Sequence, residues 1–73
     1  MGILTSDRLR FAKLVQRIRE EFEEAPGLEL DVEEGARFWA LEHGTCALVL
    51  SRLHDLKFLV RTIDGRYRRS SAV

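Results

Sequence analysis

A chain of 73 residues with a single cysteine is long enough for one small domain, and no internal disulfide can hold that domain together. Its residues are 45% hydrophobic and 33% charged, with five Gly and one Pro, which excludes a collagen-like, disordered or transmembrane class for the chain as a whole. Twelve basic residues balance twelve acidic ones, so net charge gives no argument for nucleic-acid binding.

Neither a membrane span nor a secretory signal is evident in the sequence. No apolar run approaches the ~20 residues needed to cross a bilayer, and the N-terminus lacks the charged and then apolar layout of a signal peptide. Together with the lone Cys46, these features predict a cytoplasmic protein with no membrane partner. We expect a single domain over residues 1–73, with a folded core at about 7–69 and flexible ends at 1–6 and 70–73.

Apolar residues at helical spacing predict a first helix over residues 7–24. Five of them recur at offsets 0, 3, 4, 7 and 11, which makes one stripe of a helix: Phe11, Leu14, Val15, Ile18 and Phe22. The Ala-Pro-Gly at 25–27 ends this helix, because proline cannot donate a hydrogen bond to the preceding turn. Residues 28–30 then alternate apolar and acidic side chains and predict a short strand.

A second helix is predicted over residues 32–40. Asp31, followed three residues later by Glu34, resembles a capping box and marks its start. Phe38 is expected at an exposed edge of this helix, since neighbouring residues on a helix point about 100° apart. Three residues are expected to face inward: Ala36, Trp39 and Ala40.

The third predicted helix follows a tight turn at residues 41–44. It covers about residues 43–56 and carries one apolar stripe, with Leu56 as a further candidate member: Cys46, Val49, Leu50 and Leu53. A cysteine on such a stripe is expected to act as a small core residue.

Residues that favour strands on both sides of an Asp-Gly pair predict a C-terminal hairpin. Residues 58–62 form its first strand and 66–69 its second, and the chain reverses in a type I′ turn at Asp64 and Gly65. The order of helix, short strand, two helices and hairpin predicts an α+β fold class.

This order of elements resembles the winged helix-turn-helix superfamily, in which two helices joined by a turn precede a β-hairpin called the wing. Residues 37–46 (RFWALEHGTC) and 57–68 (KFLVRTIDGRYR) are also similar to small uncharacterised bacterial winged-helix proteins. In the family pattern, Ala36 stands where a small residue allows close helix approach, and Ala40 stands where glycine is usual. The resemblance implies a three-helix winged helix-turn-helix fold with the C-terminal hairpin as its wing.

A DNA-binding role follows from this resemblance, with the third helix in the major groove and the wing along the backbone. The implied contacts lie on the third helix and around the hairpin: His43, Thr45, Ser51, Arg52, Arg61, Arg66, Arg68 and Arg69. Bases are read mainly by Arg, Lys, Asn and Gln, and none of these leads the third helix. The hairpin arginines are equally compatible with a charged edge that resists pairing with other chains. A small transcriptional regulator that binds duplex DNA is the first functional hypothesis.

The second hypothesis is a protein-interaction or dimerisation module on the same fold, without groove reading. Ala47 and Leu48 lie on the outward side of the third helix, and Phe38 can extend this apolar patch into a partner or homodimer interface. Residues 20–42 also carry nine acidic side chains and one basic one, whereas both ends of the chain are net basic. A continuous basic strip that joins the wing to Arg8, Arg10 and Lys13 would favour nucleic acid, and its interruption by glutamates would favour a protein partner.

No catalytic, cofactor or metal site is predicted. His43, His54 and Cys46 are too few for a metal site and have no recognised zinc spacing. The sequence has no glycine-rich phosphate loop, and neither histidine has an evident nucleophile to activate. We therefore expect a protein that is not an enzyme.

Overall fold

Three helices and a small antiparallel sheet form the structure, so the predicted α+β class is confirmed. The computed structural model describes the backbone of residues 2–70 and the side chains of residues 8–70. In chain order its elements are α1 (Gly2–Glu24), β1 (Glu29–Leu30), α2 (Val32–Phe38), α3 (His43–Asp55), β2 (Leu59–Arg61) and β3 (Tyr67–Arg69). The strand order is β1-β3-β2 with both pairs antiparallel, so β3 is central and β1 joins the far side of the hairpin.

The first helix is longer than its apolar stripe predicts. It begins at Gly2, five residues before the predicted start, and residues 2–6 contain no proline that would prevent this extension. It ends at Glu24, directly before the Ala-Pro-Gly, as predicted. Of the predicted flexible ends, Met1 and residues 71–73 lie outside the described residues. Between residues 2 and 70, no helix is long and apolar enough to cross a membrane.

The core lies between α1, α3 and the sheet. Its buried members are Ile18, Phe22, Leu30, Cys46, Val49, Leu50, Leu53, Leu59 and Tyr67. The members from α1 and α3 belong to the predicted stripes, which are therefore confirmed, and Phe11, Leu14 and Val15 pack half-buried at the margin. Leu56 does not join the stripe, because α3 ends at Asp55 and the Leu56 side chain is exposed.

The capping box predicted at the start of α2 is present. The backbone N–H of Glu34 donates to the Asp31 carboxylate at 2.8 Å, and the backbone N–H of Asp31 donates to the Glu34 carboxylate at 2.9 Å. Two donors at the helix start are thereby satisfied reciprocally, with a stabilisation of about 1 kcal/mol for such a cap. The cap also fixes the position of the Glu34 carboxylate at the edge of the sheet.

The end of α2 differs from the prediction. The helix stops at Phe38, and Ala40 is exposed in the left-handed region at φ 54° instead of facing inward. The backbone N–H of Leu41 donates to the Ala36 carbonyl at 2.8 Å, which is the six-residue bond of a Schellman motif. This motif places glycine most readily where Ala40 stands, and Lys57 takes the equivalent left-handed position after α3 at φ 66°.

Gly35 is the residue at which α2 packs tightly against its neighbours. A Cβ on Gly35 would lie 2.9 Å from the Trp39 ring, 3.0 Å from the sulfur of Cys46 and 3.3 Å from Leu30. Ala36, which the family pattern assigns to the close approach, is half-buried beside it. The absence of a side chain at Gly35 therefore sets the distance between α2 and α3.

The hairpin reverses through a three-residue loop, so the predicted two-residue type I′ turn is wrong. The Thr62 N–H donates to the Arg66 carbonyl at 2.7 Å, and the Gly65 N–H donates to the Thr62 carbonyl at 3.0 Å. Within this loop only Gly65 has a positive φ, at 84°, whereas a type I′ turn would require one at Asp64 too. The Thr62 hydroxyl bonds the Asp64 carboxylate, which lowers the pKa of Asp64, and accepts the Arg66 N–H at 3.0 Å. These side-chain bonds favour the wider loop, whose first residue, Ile63, is fully exposed.

Candidate nucleic-acid interface

The solvent-facing side of α3 lacks the side chains that read base edges. Four residues spaced by four, three and four positions lie along this side: Gly44, Leu48, Ser51 and Asp55. Leu48 lies at its centre and is 63% exposed. The Asp55 carboxylate at its end would repel phosphate. This surface therefore offers one hydroxyl and one apolar contact, but no bidentate donor for a base.

The predicted base-reading residues lie around this side of α3 with different degrees of access. His43, Ser51 and Arg52 are exposed, whereas Thr45 is half-buried. Ala47, predicted to face solvent beside Leu48, is only half-buried. Arg52 is thus the only exposed cation among the predicted contacts of α3.

Acidic residues surround the start of α2. Asp31 and Glu34 form its cap, and Glu33 is exposed in its first turn. In a helix-turn-helix bound to DNA, the first of the two helices crosses the phosphate backbone. Carboxylates at this end of α2 oppose such a contact electrostatically.

Arg66, one of the four predicted wing arginines, is held by two carboxylates. Its guanidinium lies 3.4 Å from the Glu29 carboxylate and 3.1 Å from that of Glu34, and it donates to the Glu29 carbonyl at 3.1 Å. The Arg66 side chain is 31% exposed. These contacts connect the hairpin to β1 and to the cap of α2. The charge of Arg66 is therefore largely neutralised by carboxylates of the protein itself.

The other three predicted wing arginines are exposed and make no ion pair with any residue in the described part of the chain. The guanidinium of Arg61 lies over the Tyr67 ring, 5.8 Å from its centroid. That of Arg69 lies over the Phe58 ring, also at 5.8 Å. Arg68 pairs with Val60 and Glu29 across the sheet, on the face opposite Tyr67. The hairpin therefore presents three cations that can bind an anion.

A second arginine reaches the Phe58 ring from α1. The guanidinium of Arg19 lies 5.0 Å from the ring centroid, and its Nε is 3.5 Å from the Glu23 carboxylate. Arg8 lies on the same side of α1 as Arg19, because eleven residues make three helical turns. Arg69 of the hairpin and Arg19 of α1 therefore meet at Phe58. Sequence reasoning missed this contact, because Arg19 and Phe58 meet only through the packing of α1 on the sheet.

Two large apolar side chains are exposed, one at the end of α2 and one on α3. Phe38 is 61% exposed, as predicted for an edge position, and its ring packs against Trp39 at a centroid distance of 5.4 Å. Trp39 in turn contacts the buried Phe22 at 5.9 Å and is half-buried. With Leu48 on α3, Phe38 supplies large exposed apolar area of the kind that protein partners cover.

An open groove of about 670 Å³ lies beside β2, and charged, polar and apolar side chains line it. Its lining residues are His54, Asp55, Lys57, Leu59, Val60 and Ser70.

Burial raises the pKa of the Cys46 thiol, which therefore stays protonated and unreactive at neutral pH. Across residues 8–70, no three His, Cys, Asp or Glu side chains come together to hold a metal ion.

Exposed arginines therefore lie on the hairpin and α1, and large exposed apolar side chains lie at the end of α2 and on α3. Comparison of the chain with protein-family models, curated protein sequences and solved structures finds no match.

Proposed function

We propose that this protein is a winged helix-turn-helix protein that binds duplex DNA mainly through backbone phosphates, as a small transcriptional regulator would. The observation that supports the proposal is the exposure of Arg61, Arg68 and Arg69 on the hairpin, with no carboxylate paired to them among the described residues. The order of three helices and a hairpin is also compatible with a winged helix-turn-helix. Arg66 contributes by neutralising Glu29 and Glu34, the two carboxylates with which its guanidinium pairs.

Backbone contacts fit the chemistry of this chain better than base reading. The exposed side of α3 presents Leu48 and Ser51 where a groove-reading helix carries Arg, Asn or Gln. Arginine on the hairpin suits phosphate, because its planar guanidinium can donate two parallel hydrogen bonds. We therefore expect affinity that depends strongly on salt and weakly on base sequence.

Replacing Arg61, Arg68 and Arg69 together by glutamine is expected to flatten the salt dependence of DNA binding. Each phosphate contact contributes about −0.9 to the slope of log affinity against log salt, so three lost contacts reduce its magnitude by about 2.7. The measurement is fluorescence anisotropy of a labelled 20-bp duplex at several salt concentrations, with circular dichroism to verify the fold.

The matched control replaces three exposed cations on α1 by glutamine: Arg10, Lys13 and Arg17. These lie away from the side of α1 that carries Arg19, and the change in net charge is the same. The control is expected to retain the wild-type slope apart from a small long-range effect. Equal slopes in the two variants would contradict specific wing contacts, and absence of wild-type binding at 20 mM salt would refute DNA binding altogether.

A second candidate function is a protein-interaction or dimerisation module, and the exposure of Leu48 and Phe38 favours it. A two-fold dimer through this surface would bring Leu48 close to its symmetry mate. A domain of this size has a small core, so burial of further apolar area would also stabilise it.

Replacing Leu48 by glutamate is expected to abolish self-association if this surface forms the dimer. Two carboxylates near the symmetry axis would repel each other and would lose their hydration. Sedimentation equilibrium over a range of protein concentrations measures the effect. Leu56→Glu serves as a control, because Leu56 is 53% exposed but follows the end of α3. A wild-type protein that is monomeric at high micromolar concentration would contradict the dimer, as would a Leu48→Glu variant that associates normally.

A further inference from the structure

We propose that Arg66 is a positioning residue for the wing. It fixes the hairpin against the start of α2 and thereby holds Arg68 where this neighbour can contact a DNA phosphate, without contacting phosphate itself. This inference rests on the proposed DNA binding, and it replaces the direct contact that the winged-helix resemblance implies for Arg66.

Arg66 lies where the hairpin extends beyond its pairing with β1. The two-residue strand β1 pairs with β3 up to Leu30, which is opposite Tyr67. One step further in this register, Arg66 is opposite Asp31, where the chain leaves β1 and α2 begins. The strand pairing with β1 therefore ends just before the hairpin loop, and the Arg66 side chain continues the connection at this level.

Each nitrogen of the Arg66 guanidinium has its own partner atom. Its Nε lies 3.4 Å from the Glu29 carboxylate, one terminal nitrogen lies 3.1 Å from the Glu34 carboxylate, and the other donates to the Glu29 carbonyl at 3.1 Å. One side chain thus joins the hairpin to β1 and to α2 at the same time. Lysine would not replace it, because its side chain ends in a single nitrogen instead of a planar fork.

The groups at both ends of this connection are themselves restrained. The Glu34 carboxylate that pairs with Arg66 also accepts the backbone N–H of Asp31 at 2.9 Å in the capping box of α2. On the hairpin, the Arg66 carbonyl accepts the Thr62 N–H at 2.7 Å, and the Arg66 N–H donates to the Thr62 hydroxyl at 3.0 Å. Movement of the hairpin loop against α2 therefore requires the contacts of the Arg66 side chain to break.

The same contacts make Arg66 a poor ligand for phosphate and leave that role to Arg68. A phosphate would have to displace two carboxylates from the Arg66 guanidinium. Arg68 is exposed, and its side chain points to the face of the sheet opposite the buried Tyr67. A wing that is already held in one orientation loses less conformational freedom on binding, which raises affinity without an added contact.

The decisive variant is the double replacement Glu29→Gln and Glu34→Gln, which removes both ion pairs of Arg66. Glutamine also serves in a capping box, so the start of α2 keeps its cap. If only charge mattered, the loss of two carboxylates would raise DNA affinity, and the released Arg66 would increase the magnitude of the salt slope by about 0.9. We expect affinity to fall instead, by about fivefold, as for a wing that takes up the binding orientation about one-fifth of the time. Fluorescence anisotropy with the same 20-bp duplex measures both quantities.

The matched control is the double replacement Glu24→Gln and Glu33→Gln. It changes the net charge equally at two exposed carboxylates that pair with no arginine in the described part of the chain. We expect the control to bind as tightly as the wild type or slightly more tightly. Affinity of the Glu29→Gln and Glu34→Gln variant at or above that of the control would overturn the positioning role.

Arg66→Lys separates the geometry of Arg66 from its charge. The variant keeps the positive charge but cannot reproduce the three contacts of the guanidinium. We expect a loss of affinity as large as that of the Glu29→Gln and Glu34→Gln variant. Wild-type affinity in Arg66→Lys would show that only the charge is needed and would contradict a positioning role.

Residual dipolar couplings measure the orientation of the hairpin without DNA. In the wild type, the backbone N–H couplings of residues 62–66 are expected to fit the same alignment tensor as those of α3. In the Glu29→Gln and Glu34→Gln variant they are expected to be reduced, because the loop then samples several orientations. Unchanged couplings would refute the positioning role even if the wild type binds DNA. Reduced couplings together with no wild-type binding at low salt would retain Arg66 as the residue that holds the hairpin and refute the proposed function alone.

Discussion

Replacing Leu50 by alanine is expected to lower the free energy of unfolding by about 2–5 kcal/mol. Leu50 is completely buried on α3 and belongs to the hydrophobic core. The loss combines the transfer energy of the removed methyl and methylene groups with the cost of the cavity that remains. A domain of this length has a total stability of roughly 0.05–0.15 kcal/mol per residue, so a loss at the upper end would unfold much of the population.

Chemical denaturation monitored by circular dichroism measures this loss. Leu48→Ala is the matched control, because it makes the same change on the same helix two residues earlier, at a side chain that is 63% exposed. We expect the control to change stability by less than about 1 kcal/mol. A loss below about 1 kcal/mol for Leu50→Ala would contradict its place in the core.

Gly35→Ala is expected to destabilise the protein, whereas Gly44→Ala is expected to leave stability unchanged or to raise it. Both glycines lie in helices, where alanine is intrinsically favoured by up to about 1 kcal/mol. At Gly35 the new methyl would lie 2.9 Å from the rigid Trp39 ring and 3.0 Å from the Cys46 sulfur, so α2 and α3 must separate slightly. Overpacking of this kind costs about 1–3 kcal/mol, which outweighs the helix preference.

At Gly44, nothing lies within 4 Å of the added methyl group. We therefore expect Gly44→Ala to be neutral or to stabilise the protein, while Gly35→Ala destabilises it by about 1–2 kcal/mol. Urea denaturation of the two variants and the wild type gives the comparison. Equal stabilities for the two variants would show that α2 adjusts to a side chain at Gly35 without loss of packing.

The elements of this fold are predictable because their signals are local. The spacing of Ile18 and Phe22 along α1 and of Val49 and Leu50 along α3 identifies the buried sides, and all four are buried. The capping box at Asp31 needs only residues three positions apart, and it is present. Local patterns suffice here because helix caps and helical stripes depend on neighbours within about one or two turns.

The hairpin loop shows where a local signal is ambiguous. An Asp-Gly pair fits a type I′ turn, but a glycine also fits the third position of a three-residue loop. The second form is observed, and its Thr62 side chain bonds both Asp64 and the backbone of Arg66. The choice between the two loops depends on the pairing of Arg61 with Tyr67, which a strand pattern does not specify to one residue.

By itself, the sequence determined the number, type and order of the elements and the apolar stripes that form the core. Only the tertiary structure decided which arginines are available to a ligand. Arg66 meets Glu29 and Glu34 across 37 and 32 residues of chain, and Arg19 meets Phe58 from a different element. Exposed charges contribute little to folding, so their partners follow from where the packing of the core places each helix and strand.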